Sequence, residues 1–233
     1  MLCYTHYSLI NIGNNTSGCF LLYWRINYFR DEEWSCTEDD IYVFFQTPYD
    51  LQLSKSNALI MSCVSEDDFD TAVNIVVETL KGIDMLYPSQ LKVLRHLVNQ
   101  DNLFVTSPTN SGKTIAPVIL PSILKELNKI GYEFTPRPKV LFLTALNSIQ
   151  ISLISSMASL GIRCAGVTSE NITEVLNSEA SVLFIGPEVI KTGNVTQMLL
   201  KFRSSFVCKV VDEAHLGWLL SKNIFNFFLA ENS

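Results

Sequence analysis

The six cysteines, Cys3, Cys19, Cys36, Cys63, Cys164 and Cys208, contain no C-x-x-C pair. Thiols scattered in this way suggest neither a zinc site nor a disulfide framework, and a reducing compartment is the expected setting. Apolar runs of bilayer-spanning length are missing as well: Phe20-Leu21-Leu22-Tyr23-Trp24 meets Arg25 at once. Residues 1–18 lack the basic start and compact apolar stretch of a secretory signal. The overlapping sequons in Asn14-Asn15-Thr16-Ser17 are short enough to arise by chance. A soluble chain with no membrane partner is expected. Basic excess is also absent, since the formal net charge is −6.

That charge is unevenly spread. Residues 1–85 carry 4 Lys/Arg against 13 Asp/Glu, whereas residues 86–233 carry 13 against 10. The acidic clusters Asp31-Glu32-Glu33, Glu38-Asp39-Asp40 and Glu66-Asp67-Asp68 would repel a phosphate backbone, so any nucleic acid is expected on the second part. A length of 233 residues with 48% hydrophobic content suffices for one substantial core and a small appendage. The expected division is an acidic segment of undefined fold over 1–65 and one domain over 66–233.

Within that domain the periods are informative. Phe69, Ala72, Val73, Ile75, Val76 and Leu80 recur at roughly helical spacing, with Gly82 as a stop. Pro88 opens a second amphipathic stretch through Leu91, Val93, Leu94 and Leu97 to about Asn99. Four short apolar runs follow at 103–106, 140–143, 182–185 and 207–211, separated by stretches long enough for helices. Runs of this kind are strands covered on both faces, and their spacing fits β-α-β crossovers. The expected class is α/β, with a mostly parallel, doubly wound sheet.

The chemistry lies at the ends of two of these runs. After the first comes Ser107-Pro108-Thr109-Asn110-Ser111-Gly112-Lys113-Thr114, then an apolar helical start. Backbone N–H groups of Thr109 to Gly112 and of a helix N-terminus can cradle phosphates, Lys113 adds a point charge, and the Thr114 hydroxyl can ligate Mg²⁺. Ser107 stands where the strict pattern has Gly, and Asn110 where many such loops have another. Asn tolerates left-handed backbone better than most residues. At the end of the last run, Asp212 and Glu213 emerge where open α/β sheets bind ligands; Asp212 suits Mg²⁺ held through water, and Glu213 an attacking water.

Together these residues resemble superfamily 2 helicases of the DEAH-bearing type, and among them the RecQ-like DNA helicases, over about residues 70–216. The resemblance implies a RecA-like P-loop NTPase domain with ATP and Mg²⁺ as cofactors. It makes Gln90, in Leu86-Tyr87-Pro88-Ser89-Gln90, an adenine contact, although the family usually has Arg at the position of Tyr87. Thr144 and Ser148 in the Thr144-Ala145-Leu146 region, with Gly186 before Pro187-Glu188, match loops that touch the strand backbone, while ordinary loops and N-caps account for them equally well. Leu216-Gly217-Trp218 departs from the family's aromatic-rich loop in spacing, and Trp218 either replaces its Trp or simply packs. The implied partners are single-stranded or forked DNA, and the expected location is nuclear or cytoplasmic, with the nucleus favoured. They also include a second RecA-like lobe with an arginine finger, which these 233 residues do not contain, so unwinding by this chain alone is not expected. Two other readings stay open, a catalytically weak nucleotide- or nucleic-acid-binding module and an RNA helicase of the same superfamily.

Overall fold

A computed structural model describes residues 19–24, 64–101, 103–106, 112–144 and 147–212. The first described element is the strand β1 (Cys19–Trp24). Helix α1 (Glu66–Thr79) begins where Ser65 takes the N-cap: its hydroxyl accepts from the Asp68 N–H at 3.1 Å, and Glu66, Asp67 and Asp68 place negative charge in the first turn. Phe69, Ala72, Val73, Val76 and Val77 form its buried face. Gly82, at φ +75°, follows the helix as the sequence indicated.

Helix α2 (Pro88–Val98) starts with Pro88, whose missing N–H costs nothing in a first turn. It ends in a pair of reversed bonds, Gln100 N–H to the Leu97 carbonyl and Asp101 N–H to the His96 carbonyl, with Gln100 held at φ +62°. Arg95 clamps α2 onto α1. Its guanidinium lies 4.2 Å from the Phe69 ring centroid and pairs with Glu66 and Asp70.

The remaining chain alternates strand and helix: β2 (Leu103–Thr106), α3 (Ile115–Lys129), β3 (Lys139–Leu143), α4 (Asn147–Ser159), β4 (Cys164–Val167), α5 (Ile172–Asn177), β5 (Val182–Ile185), α6 (Pro187–Ile190), α7 (Gly193–Lys201) and β6 (Phe206–Val211). Among the described residues the six strands form one sheet in the order β2-β1-β6-β3-β5-β4, and every pair is parallel. The class is therefore α/β and RecA-like, as expected. The stretch 1–65, expected to stand ahead of the domain, contributes β1 to the interior of this sheet, with Leu21 in register with both Leu103 and Val210.

Both faces are covered. Val140, Phe142, Val182, Phe184, Cys208 and Val210 pack with α1 to α4, and the Phe142 and Phe184 rings lie 5.1 Å apart. Leu141, Leu143, Leu183, Ile185 and Val211 pack on the other side with α5 to α7. The small-residue strand β4 was not among the expected runs. At Gly166 a Cβ would stand 2.8 Å from Nε2 of Gln150, so a side chain there would push aside the amide that donates from α4 to the Phe184 carbonyl.

Candidate nucleotide site

Because every strand runs the same way, all their carboxyl ends lie on one edge of the sheet. β2 leads toward Gly112, Lys113 and Thr114, which open α3, and β6 ends at Asp212. One strand, β1, separates β2 from β6. The two ends are therefore about 10 Å apart, two strand spacings. The start of α3 tolerates its own sequence: Pro117 falls among the first four residues, whose N–H groups have no partner within the helix. Pro121, by contrast, sits inside the helix and removes one backbone bond.

Gly112 has φ +70°, a conformation that side chains of L-residues rarely adopt. Its carbonyl accepts two hydrogen bonds, from Ile115 N–H at 3.1 Å and from Nε2 of Gln90 at 3.1 Å. Gln90 is 7% exposed, and its Oε1 accepts from the Tyr87 N–H at 2.9 Å. An amide has two N–H groups and two lone pairs, so one of each remains for a base edge. Sequence reasoning assigned Gln90 to adenine but did not find its bond to Gly112, because nothing local in the sequence joins positions 22 apart. Tyr87 is exposed beside it.

Thr114 is the residue before α3, in helical backbone, and its hydroxyl makes no capping bond. Lys113 and Thr114 are half-buried, as is Asp212, whose N–H donates to the Leu143 carbonyl at 3.0 Å. An amine, a hydroxyl and a carboxylate at the edge where a 15-residue helix begins are the donor set that a polyanion carrying a hard divalent cation requires. Gly112 meets the same demand, since a side chain there would strain the backbone beside the loop. Thr109, Asn110, Ser111 and Glu213 lie outside the described residues, as do Ser107, Ala145, Leu146 and Trp218.

The expected strand-backbone contacts are differently placed. Ser148 is exposed on α4. Gly186 is buried as the N-cap of α6, and Thr144 is 1% exposed. Neither Gly186 nor Thr144 lies open to a polynucleotide in this conformation. Burial pushes the Cys164 thiol up to about 12, so it stays protonated and inert. Among the described residues no cluster of His, Cys, Asp and Glu could hold a structural metal.

Residues 87–218, more than half of the chain, match the DEAD/DEAH box helicase family. The chain belongs to that family. The box itself is Asp212-Glu213-Ala214-His215, directly after β6. DEAD/DEAH box helicases bind nucleic acid and use ATP, in general with Mg²⁺. No curated protein matches the sequence. Among the described residues no helix of this DEAD/DEAH box protein is long and apolar enough to cross a membrane.

Proposed function

We propose that the chain is the ATP-binding lobe of a RecQ-like 3′-5′ DNA helicase, favoured to act in the nucleus. It would couple ATP hydrolysis to movement along single-stranded or forked DNA together with a second RecA-like lobe. The observation that carries this reading is the convergence of Gly112-Lys113-Thr114 and Asp212 on one sheet edge, with one strand between them. Backbone N–H groups of Thr109 to Gly112 would cradle the phosphates, and Lys113 would neutralise the β- and γ-phosphates. Thr114 and Asp212, the latter through water, would hold Mg²⁺, which would supply charge neutralisation at the phosphates. Glu213 orients the attacking water, and Gln90 offers its remaining N–H and lone pair to adenine. The DNA preference is supported by the resemblance of Leu86 to Gln90 and of Gly186-Pro187-Glu188 to RecQ-like motifs.

Calorimetry with ATP-Mg²⁺ tests the division of labour. Lys113→Ala should abolish binding, because Lys113 stabilises phosphate charge in ground and transition states alike. Glu213→Gln should bind ATP as the parent chain does and hydrolyse it at least tenfold more slowly, consistent with loss of a positioned base worth about 10²–10⁴. Equal loss of binding in both variants would overturn the assignment. Hydrolysis stimulated by single-stranded RNA and not by DNA would move the chain to the RNA helicases, and binding without any hydrolysis would make it a nucleotide-binding module.

A further inference from the structure

Thr144 follows β3 and extends its pairing on both sides: its own N–H donates to the Ile185 carbonyl at 3.1 Å, while Asp212 N–H donates to the Leu143 carbonyl at 3.0 Å. The register Phe142↔Val210 and Leu143↔Val211 makes Thr144 the cross-strand neighbour of Asp212. Side chains alternate along a strand, so Thr144 and Asp212 share the face of Phe142 and Val210. That face is the one α3 covers, with Ile115, Ala116, Val118 and Ile119 buried against it. The crossover sets the N-terminus of α3, with Lys113 and Thr114, over the same edge. In this position the Thr144 hydroxyl is buried, and it is the one buried side-chain polar atom among the described residues with no hydrogen-bond partner.

A buried hydroxyl without a partner costs free energy, and in a native protein it calls for an explanation, a water or ion bound there being one. We propose that Thr144 is a positioning residue for the hydrated divalent cation that accompanies the nucleotide: its hydroxyl bonds a water of the cation's shell between Thr114 and Asp212. This role rests on the nucleotide-binding reading above. Mg²⁺ retains several of its waters when it binds phosphates, so a second-layer hydroxyl acts on the cation through them. Unlike Lys113, Thr144 carries no charge for the phosphates, so its effect is confined to binding with the metal present.

The test uses the full chain and a non-hydrolysable ATP analogue, with affinities measured by calorimetry in Mg²⁺ and in excess EDTA, and thermal unfolding followed without ligand. Thr144→Val keeps the shape and removes the hydroxyl. Expected is a fivefold to tenfold weaker affinity in Mg²⁺, about the worth of one hydrogen bond. Affinity in EDTA should be unchanged, and the ligand-free melting temperature unchanged or higher. Thr144→Ser, which keeps the hydroxyl, should bind in Mg²⁺ within about twofold of the parent. Unaltered affinity of Thr144→Val in Mg²⁺, an equal loss in EDTA, or a lowered ligand-free melting temperature would each show the hydroxyl to be structural and overturn the proposal. If the parent chain binds no nucleotide, the nucleotide-binding reading fails and this role with it; if the parent binds and Thr144→Val matches it, only the role of Thr144 fails.

Discussion

At the scale of single residues, the contact of Gln90 with Gly112 joins the proposed base contact to the proposed phosphate loop. The Gly112 carbonyl holds both the first turn of α3 and the Gln90 amide, and a Cβ on Gly112 would come within 2.6 Å of Gln90 Nε2. Gly112→Ala therefore meets two separate costs, about 1–2 kcal/mol for an L-residue in left-handed backbone and the displacement of Gln90. Gln90→Ala alone loses the bonds to Gly112 and Tyr87. In the double variant the steric conflict is gone and the lost bonds are counted once, so its destabilisation should fall short of the sum by about 0.5–3 kcal/mol. Urea unfolding of the four proteins measures this. Additivity within about 0.3–0.5 kcal/mol would mean the two residues act independently.

At the scale of elements, the N-terminus of α1 is held by a three-residue knot. Asp68 accepts from the Ser65 hydroxyl at 2.7 Å and from the Tyr132 hydroxyl at 2.8 Å, and the Ser65 N–H donates to Tyr132 at 3.0 Å. The Ser65 bond first, then Tyr132, holds the Asp68 carboxyl below its ordinary value of 3.8. A depressed carboxylate contributes stability that is fully present above its ordinary value and lost as pH falls through the lower folded one. Asp68→Asn should accordingly lower the urea midpoint at pH 7, and the gap to the parent should close in acid below 3.8. A gap independent of pH would show that the charge plays no part. How legible each element was follows from where its information lies. Both helices before β2 show in the sequence because their signals are local: Pro88, Gly82 and the spacing of Phe69 to Leu80; the Ser65 cap emerged only in the structure. Strands β2, β3, β5 and β6 are visible as short apolar runs, and every residue of β3 and β5 is buried. β1 and β4 were not assigned: Phe20 to Trp24 has no period of its own, and Cys164 to Val167 is too small and mixed to announce a strand. Their places depend on parallel pairing with strands far along the chain. The site divides in the same way. Lys113, Thr114 and Asp212 show through motif spacing, whereas the Gln90–Gly112 bond and the unpartnered Thr144 hydroxyl exist only once distant segments meet.

At the scale of the whole molecule, charge and topology have to be considered together. The first 85 residues hold most of the acidic excess, and the remaining chain is mildly basic. Deleting residues 1–65, which carry 3 Lys/Arg against 7 Asp/Glu, would remove only part of that negative charge, and it would also remove β1, which pairs with both β2 and β6 at the candidate nucleotide site. Charge is better changed without touching the sheet, by converting Asp31, Glu32, Glu33, Glu38, Asp39 and Asp40 to Asn or Gln; none of the six lies in β1. If the second part binds a nucleic-acid backbone, the neutralised protein should bind a labelled single strand several-fold more tightly at about 50 mM salt. The advantage should shrink toward nothing at about 200 mM, as screening removes the repulsion between acidic clusters and phosphates. Backbone contacts carry little sequence information, so oligonucleotides of different sequence should gain alike. ATP-Mg²⁺ affinity should stay the same, since none of the six belongs to the proposed nucleotide site. Fluorescence anisotropy across a salt series measures the first three outcomes and calorimetry the last. A gain that persists undiminished at high salt would mean the acidic clusters act by occupying the binding surface and not through their long-range charge.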